Sequence, residues 1–160
     1  MDGVPICDLQ AAEAVPAEDW FSFWAGRGDV YAELGETAVE RGHFHSGGQL
    51  LWLGAICWHY AQYLWIQDVD LRIQGQARKV ELYDKAAPHL EPPAERIAVP
   101  IDDVSIQGFL RLPRGADGGD VPCAVLLGGL ESTKEESFAF ENELLARGIA
   151  TFAFDGPGQG

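Results

Sequence analysis

Positive charge is what this sequence has least of: 11 lysines and arginines stand against 25 aspartates and glutamates, a formal net charge of −14 over 160 residues. A phosphate backbone repels such a surface, and no Lys/Arg cluster reverses the balance locally, so nucleic acid is excluded as a partner. Cysteine is scarce too. Cys7, Cys57 and Cys123 are odd in number, far apart and form no CxxC pair. That argues against a disulfide framework or a zinc site and for a reducing, cytoplasmic setting. Cys57 and Cys123 lie in apolar runs and are expected to be small core residues. No metal-ligand spacing appears among the four histidines, so neither metal nor cofactor is expected. The opening Met1-Asp2-Gly3-Val4-Pro5 lacks the basic and apolar regions of a signal peptide. The longest apolar tract, Leu50 to Ile66, is interrupted by His59 and Gln62 and is short for a span. It is expected to be a buried helix, with no membrane partner.

What is present suffices for a packed core: 47% hydrophobic residues and five tryptophans. Residues 1–16 show no period and are expected to be a loose lead-in. Pro16 followed by Glu18 and Asp19 marks a helix start, and Gly26 and Gly28 are expected to end that short helix. Asp29 caps a second helix running to about Arg41, with Val30, Leu34, Ala38 and Val39 as its apolar stripe and Gly42 as its stop. Ser46-Gly47-Gly48 opens a third, apolar nearly all round, to about Ile66. Asp68 or Asp70 caps a fourth, amphipathic helix from Leu71 to about Leu90, stopped by Glu91-Pro92-Pro93. Residues 17–93 are thus expected to be a helical domain.

The period then changes, which starts a second domain over residues 94–160. Ile97, Val99 and Ile101, then Val104, Ile106, Gly108, Leu110 and Leu112, alternate about an Asp102-Asp103 turn, the pattern of an antiparallel hairpin. Pro113 to Asp120 is a loop. Cys123 to Leu127 is a continuous apolar run, expected to be a strand covered on both faces. Ser132-Thr133-Lys134-Glu135 has the form of a capping box, opening a helix to Arg147 with Gly148 as its stop. A second covered strand starts at Ile149. Strand, helix and strand make a βαβ unit, and such sheets place their chemistry at the carboxyl ends of the strands.

Two glycine turns lie at those ends. Gly128-Gly129-Leu130-Glu131 allows a ligand to approach the backbone closely, and N–H groups near a helix start can stabilise a developing negative charge. A tight turn without chemistry is the alternative. A phosphate cradle is excluded, because Gly128 to Lys134 does not match G-x-x-x-x-G-K-[ST]. Asp155-Gly156-Pro157-Gly158-Gln159-Gly160 matches no complete G-x-G-x-x-G and is expected to be a structural turn with Asp155 anchoring backbone N–H groups. Among the histidines, His43 and His45 flank a helix–helix turn and His89 sits in a last helical turn. His59, among Trp58, Tyr60 and Tyr63, is the one pocket candidate.

Gly128-Gly129-Leu130-Glu131-Ser132-Thr133-Lys134-Glu135-Glu136-Ser137, followed by Phe154-Asp155-Gly156-Pro157-Gly158-Gln159-Gly160, resembles the α/β-hydrolases that carry an N-terminal helical cap domain. This group includes carbon–carbon bond hydrolases, esterases and fungal polyketide-shortening hydrolases. The resemblance covers the whole layout. Gly128 stands where the wider superfamily often has His, and Pro157 where it often has Arg; both suit this subgroup. The resemblance implies an α/β fold, a helical cap followed by the first strands of an α/β-hydrolase sheet, truncated. It also implies a Ser–Asp–His triad with the Ser on a G-x-S-x-G elbow. No G-x-S-x-G occurs in the 160 residues, and Ser132 and Ser137 lie at the wrong element. One functional position carries over, the oxyanion-hole N–H of Leu130, with Glu131 beside it. The expected function is that of a hydrolase fragment, inactive alone, from an enzyme that cleaves ketone C–C or ester bonds of a small, apolar or aromatic substrate. Trp58, His59 and Tyr63 would line the substrate pocket. The expected partner is that small molecule, with room for a homodimer. The competing reading is a non-catalytic helical interaction module with a vestigial hydrolase-like tail.

Overall fold

A computed structural model describes residues 3–63, 65–116 and 120–159, in two compact units that divide between His89 and Leu90. Parts of four expected features lie outside the described residues: Met1 and Asp2 of the lead-in, Leu64 of the third helix, residues 117–119 of the loop after the hairpin, and Gly160 of the closing turn.

The first unit is helical: α1 (Ile6–Ala12), α2 (Trp20–Glu40), α3 (Phe44–Gln62) and α4 (Val69–Ala86), with a 3-10 turn over Ala87–His89. The lead-in is not loose. Asp8 of α1 is buried, accepts a hydrogen bond from the Tyr31 hydroxyl and pairs with Arg27, both on α2. An isolated buried carboxylate would be costly, so these partners fix where α1 can sit.

Nor do Gly26 and Gly28 end a helix, because α2 runs through both. The reason is packing. Gly28 and Gly35 of α2 face Gly54 and Gly47 of α3, one pair above the other along the antiparallel helices. A Cβ on Gly28 would lie 2.5 Å from Trp58 Cδ1 and 3.1 Å from the Gly54 carbonyl oxygen, and one on Gly47 would lie 3.0 Å from the Gly35 carbonyl oxygen. The helix-propensity cost of glycine, roughly 1 kcal/mol each, is accepted where it lets two backbones touch. The buried face of α2 is therefore Phe21, Trp24, Gly28, Tyr31, Ala32 and Gly35. Val30 and Leu34, expected on the buried stripe, are exposed.

Gly42 does stop α2. With φ of 79°, it donates to the Val39 carbonyl at 2.9 Å while His43 donates to Ala38 at 2.8 Å, a Schellman closure that needs the left-handed position. Helix α3 is buried almost throughout from Gly47 to Gln62. It ends at Gln62 rather than Ile66. Asp68 caps α4, accepting from the Leu71 N–H at 3.0 Å. Cys57 is buried, and burial together with the Asp8 charge pushes its thiol up to about 12, which keeps it inert. Among the described residues, no helix is long and apolar enough to cross a membrane.

The second unit holds β1 (Ala94–Ile101), β2 (Val104–Arg111), β3 (Cys123–Leu127), α5 (Phe138–Leu145) and β4 (Ala150–Phe154). The sheet order is β1-β2-β4-β3. Strands β1 and β2 pair antiparallel from Ala94↔Arg111 to Ile101↔Val104, about the expected Asp102-Asp103 turn. Strands β3 and β4 pair parallel, as a βαβ unit requires. Gly148, with φ of 77°, ends α5 by the same Schellman pattern as Gly42.

The expectation that β3 is covered on both faces is not met. It is an edge strand, with Val125 66% and Leu127 59% exposed and Cys123 also at the surface. A continuous apolar run signals a strand built for burial, but Cys123, Val125 and Leu127 alternate onto one face, and among the described residues nothing covers that face. Strands β2 and β4 are the inner ones, and in β4 Ala150, Thr151 and Ala153 are buried.

A charged network lies inside this unit. Arg111 and Thr151 are cross-strand partners. Thr151 donates to Glu141 Oε1 at 2.8 Å, and Arg111 pairs with Glu141 Oε2 at 3.4 Å while also donating to the Pro92 carbonyl at 2.9 Å. The Arg111 guanidinium lies over the Phe138 ring, 4.8 Å from its centroid. Burial raises the Glu141 carboxyl above its ordinary range against the pull of Arg111 and Thr151.

Candidate active site

The parallel pairing brings the ends of β3 and β4 level, with Leu127 beside Phe154. The two glycine turns therefore leave the same edge of the sheet side by side. In the first, a Cβ on Gly128 would lie 2.8 Å from Ser132 Cβ, so the chain can fold back this tightly only through glycine. Ser132 N–H donates to the Gly129 carbonyl at 3.2 Å, closing a turn with Leu130 and Glu131 at its tip. Glu131 has φ of 63°, a left-handed conformation that costs a non-glycine residue about 1–2 kcal/mol. Leu130 is 91% exposed, and among the described residues its N–H donates to no protein acceptor.

Beyond the tip, the cap sits one residue later than expected. Thr133 is the N-cap, and its N–H donates to Glu136 Oε1 at 2.8 Å. The cause is Glu135. Its side chain is buried and pairs with the Lys134 ammonium at 2.8 Å, so it cannot reach back over the helix start, and Glu136 does so instead. A 3-10 turn, Lys134–Ser137, then leads into α5, which ends at Leu145.

Asp155 opens the second turn and ties it to the first. Its Oδ1 accepts from the Lys134 N–H at 2.9 Å and its Oδ2 holds the Lys134 ammonium at 2.5 Å. Burial pushes the Lys134 ammonium down, but Glu135 and Asp155 together outweigh it and the net shift is upward. Gln159 forms a second tie. Its side-chain N–H₂ donates to the carbonyls of Gly129 at 3.2 Å and Gly128 at 3.5 Å, and its Oε1 accepts from the Gly156 N–H at 3.0 Å. Sequence reasoning missed Lys134 and Gln159. The available signal was a long polar side chain beside each glycine turn, which was absorbed into the cap and the turn.

Trp58, His59 and Tyr63 belong to the helical unit; Leu130, Glu131 and Asp155 belong to the sheet unit. Trp58 is held toward α2, its Nε1 donating to Asp29 Oδ1 at 3.1 Å and its ring edge-on to Phe21. His59 is buried, with ring centroids of Tyr60 and Tyr63 at 5.6 and 5.7 Å. Tyr63 is 39% exposed. A groove of about 510 Å³, lined by Glu91, Pro92, Pro113, Arg114, Asn142 and Leu145 among others, contains none of the expected site residues. Among the described residues, no group of three or more His, Cys, Asp or Glu is placed to hold a metal ion.

Residues 15–160, which include both glycine turns, match the model of the FrsA-like esterase family. The chain belongs to the FrsA-like esterases. Among its relatives, 2,6-dihydropseudooxynicotine hydrolase of Paenarthrobacter nicotinovorans is 48% identical over 161 residues, covering 100% of this chain and 43% of that protein. The 20-hydroxy-prefusarin hydrolase FUS2 of Gibberella moniliformis is 30% identical over 149 residues, covering 89% of this chain and 36% of that protein. The crystal structure of the 2,6-dihydroxy-pseudo-oxynicotine hydrolase superposes with a TM-score of 0.89 at 49% identity, over 99% of this chain and 44% of that one. AbyA5, at 19% identity and a TM-score of 0.67, shares the fold. This FrsA-like chain thus spans less than half the length of the curated relatives it matches, and its helices and sheet correspond to the N-terminal part of an α/β-hydrolase.

Proposed function

We propose that this chain supplies the helical cap and the oxyanion loop of a serine-type hydrolase that cleaves a ketone C–C bond or an ester in a small, largely apolar or aromatic molecule. The observation that carries the reading is the loop tip. An exposed Leu130 N–H stands at the carboxyl end of β3, next to a residue held at positive φ. Strained backbone persists where surrounding structure holds it, and a pre-set donor stabilises an oxyanion because it need not reorganise as charge develops.

In this reading a serine from outside these 160 residues attacks the substrate carbonyl. The Leu130 N–H, with that of Glu131 beside it, holds the oxygen as it becomes negative. A histidine, also from outside, returns the proton to the leaving carbanion or alkoxide. The same oxyanion donor serves either bond: an ester releases an alkoxide, and a C–C bond needs only that the leaving carbanion be stabilised. From the helical unit, Trp58, His59 and Tyr63 are assigned to the lining of the substrate pocket. No membrane or nucleic-acid partner is invoked, and the setting is a reducing cytoplasm.

The test uses p-nitrophenyl esters. Protein from the complete reading frame should turn them over and be silenced by a serine-directed phosphonate, while the 160 residues alone should be inactive. Phosphonate-sensitive turnover by the 160 residues alone would sink the assignment of the nucleophile to residues outside them.

A further inference from the structure

We propose that Gln159 is a positioning residue for the oxyanion donor: by holding the Gly129 carbonyl it sets the direction of the Leu130 N–H. The inference rests on the hydrolase reading above. The Gly129 carbonyl and the Leu130 N–H belong to one peptide unit, which is planar, and in a trans peptide the two point in opposite directions. Fixing the oxygen therefore aims the hydrogen. The Gly129 oxygen takes two donors, Gln159 Nε2 at 3.2 Å and Ser132 N–H at 3.2 Å. Rotating this peptide to turn the Leu130 N–H away would break both bonds. Glycine at 129 makes such a rotation easy in the absence of a restraint, since no Cβ opposes it and nothing lies within 4 Å of where one would be.

The orientation of the Gln159 amide follows from its partners. The Gly129 and Gly128 carbonyls need a donor and the Gly156 N–H needs an acceptor, so N and O cannot be exchanged. Gln159 is itself placed by its own turn, in which its N–H donates to the Gly156 carbonyl at 2.9 Å and Gly158 takes φ of 87°. The second glycine turn therefore serves the first: it presents one side chain that bridges the two. The Glu131 N–H lies on the next peptide, which Gln159 does not touch, so the effect is specific to Leu130.

Two substitutions test this. Gln159→Ala removes all three contacts. Gln159→Glu keeps an acceptor for the Gly156 N–H but sets a carboxylate against two carbonyl oxygens. In the 160-residue chain, the ¹⁵N order parameter of Leu130 should fall from about 0.8 or above to below about 0.6 in both variants. In protein from the complete reading frame, kcat for a p-nitrophenyl ester should fall by roughly 10- to 100-fold with KM changed by less than about threefold, the signature of a misaimed transition-state donor. A Leu130 order parameter and a kcat both unchanged in the two variants would overturn the role of Gln159. Absence of turnover in the unsubstituted protein would count against the hydrolase reading alone, and the order parameter would still decide whether Gln159 holds the loop.

Discussion

Gly28 of α2 and Gly54 of α3 each occupy the space where the other's side chain would begin: a Cβ on Gly28 would lie 3.1 Å from the Gly54 carbonyl oxygen, and one on Gly54 would lie 3.0 Å from that of Gly28. Gly26, two residues earlier on the same helix, has nothing within 4 Å. Alanine should therefore act with opposite sign at the two positions. Gly26→Ala gains helix propensity and should stabilise by up to about 1 kcal/mol. Gly28→Ala pushes on Trp58 and on backbone and should cost about 1–3 kcal/mol. Urea denaturation of the two variants is the check, and equal effects would show that the helix contact is looser than the distances imply.

Removing either member of the Arg111–Glu141 pair should be severe. Arg111→Met leaves a buried carboxylate with Thr151 alone, and Glu141→Gln leaves a buried guanidinium without its counter-charge. Each should cost about 3–5 kcal/mol, whereas Arg111→Met with Glu141→Gln should cost clearly less than the sum. A double-mutant cycle by thermal or urea unfolding measures the coupling, and strict additivity would show that the pair contributes no interaction.

Alkaline pH should loosen the attachment of α1. Burial and the hydrogen bond to Asp8 push the Tyr31 hydroxyl up to about 12. Its folded value lies above the unfolded value of about 10, so the stability it contributes is complete below about pH 10 and is lost as pH rises toward 12. Tyr31→Phe should flatten that part of the stability–pH curve and remove a tyrosinate absorbance step near the top of the titration. Lys134 shares this sign, because Glu135 and Asp155 raise its ammonium above the ordinary value despite burial. Lys134→Met should accordingly remove a loss of stability that sets in above about pH 10.5.

Deleting the proposed donor itself should act on rate. Leu130→Pro removes one N–H at an exposed position. In protein from the complete reading frame it should lower kcat by roughly 100- to 1,000-fold while leaving KM near its starting value. A parallel rise in KM would instead indicate a deformed loop, which the Leu130→Ala control, retaining the N–H, would separate.

These contacts also show where sequence reasoning reaches and where it stops. The hairpin about Asp102-Asp103, the Gly42 and Gly148 stops and the Asp68 cap were legible because each is decided within a few residues. Gly28 was misjudged because propensity asks what a residue does to its own helix, whereas Gly54, 26 positions away, decides whether glycine is needed. The exposure of Val125 and Leu127 was hidden for a similar reason, since whether a strand's face is covered is decided by elements elsewhere in the fold. At the candidate site the two glycine turns could be read from the loops themselves, whereas Leu130 was singled out only by the family resemblance. The shift of the cap from Ser132 to Thr133 could not be read there, because it follows from burial of Glu135. Gln159 was invisible as a bridge, since its partners Gly128 and Gly129 lie about thirty positions earlier.

The sheet order has a consequence for how the molecule is made. Strand β4 lies between β2 and β3, and β3 pairs with neither β1 nor β2. As the chain leaves the ribosome, β3 has no partner until β4 emerges, and the earlier strands can form only a two-stranded hairpin, which is marginal in water. The apolar stretch Cys123 to Leu127 therefore spends the whole synthesis of α5 unpaired. For that interval it is an adhesive edge, the stretch on which a holdase chaperone would act and through which crowded nascent chains would stick to one another.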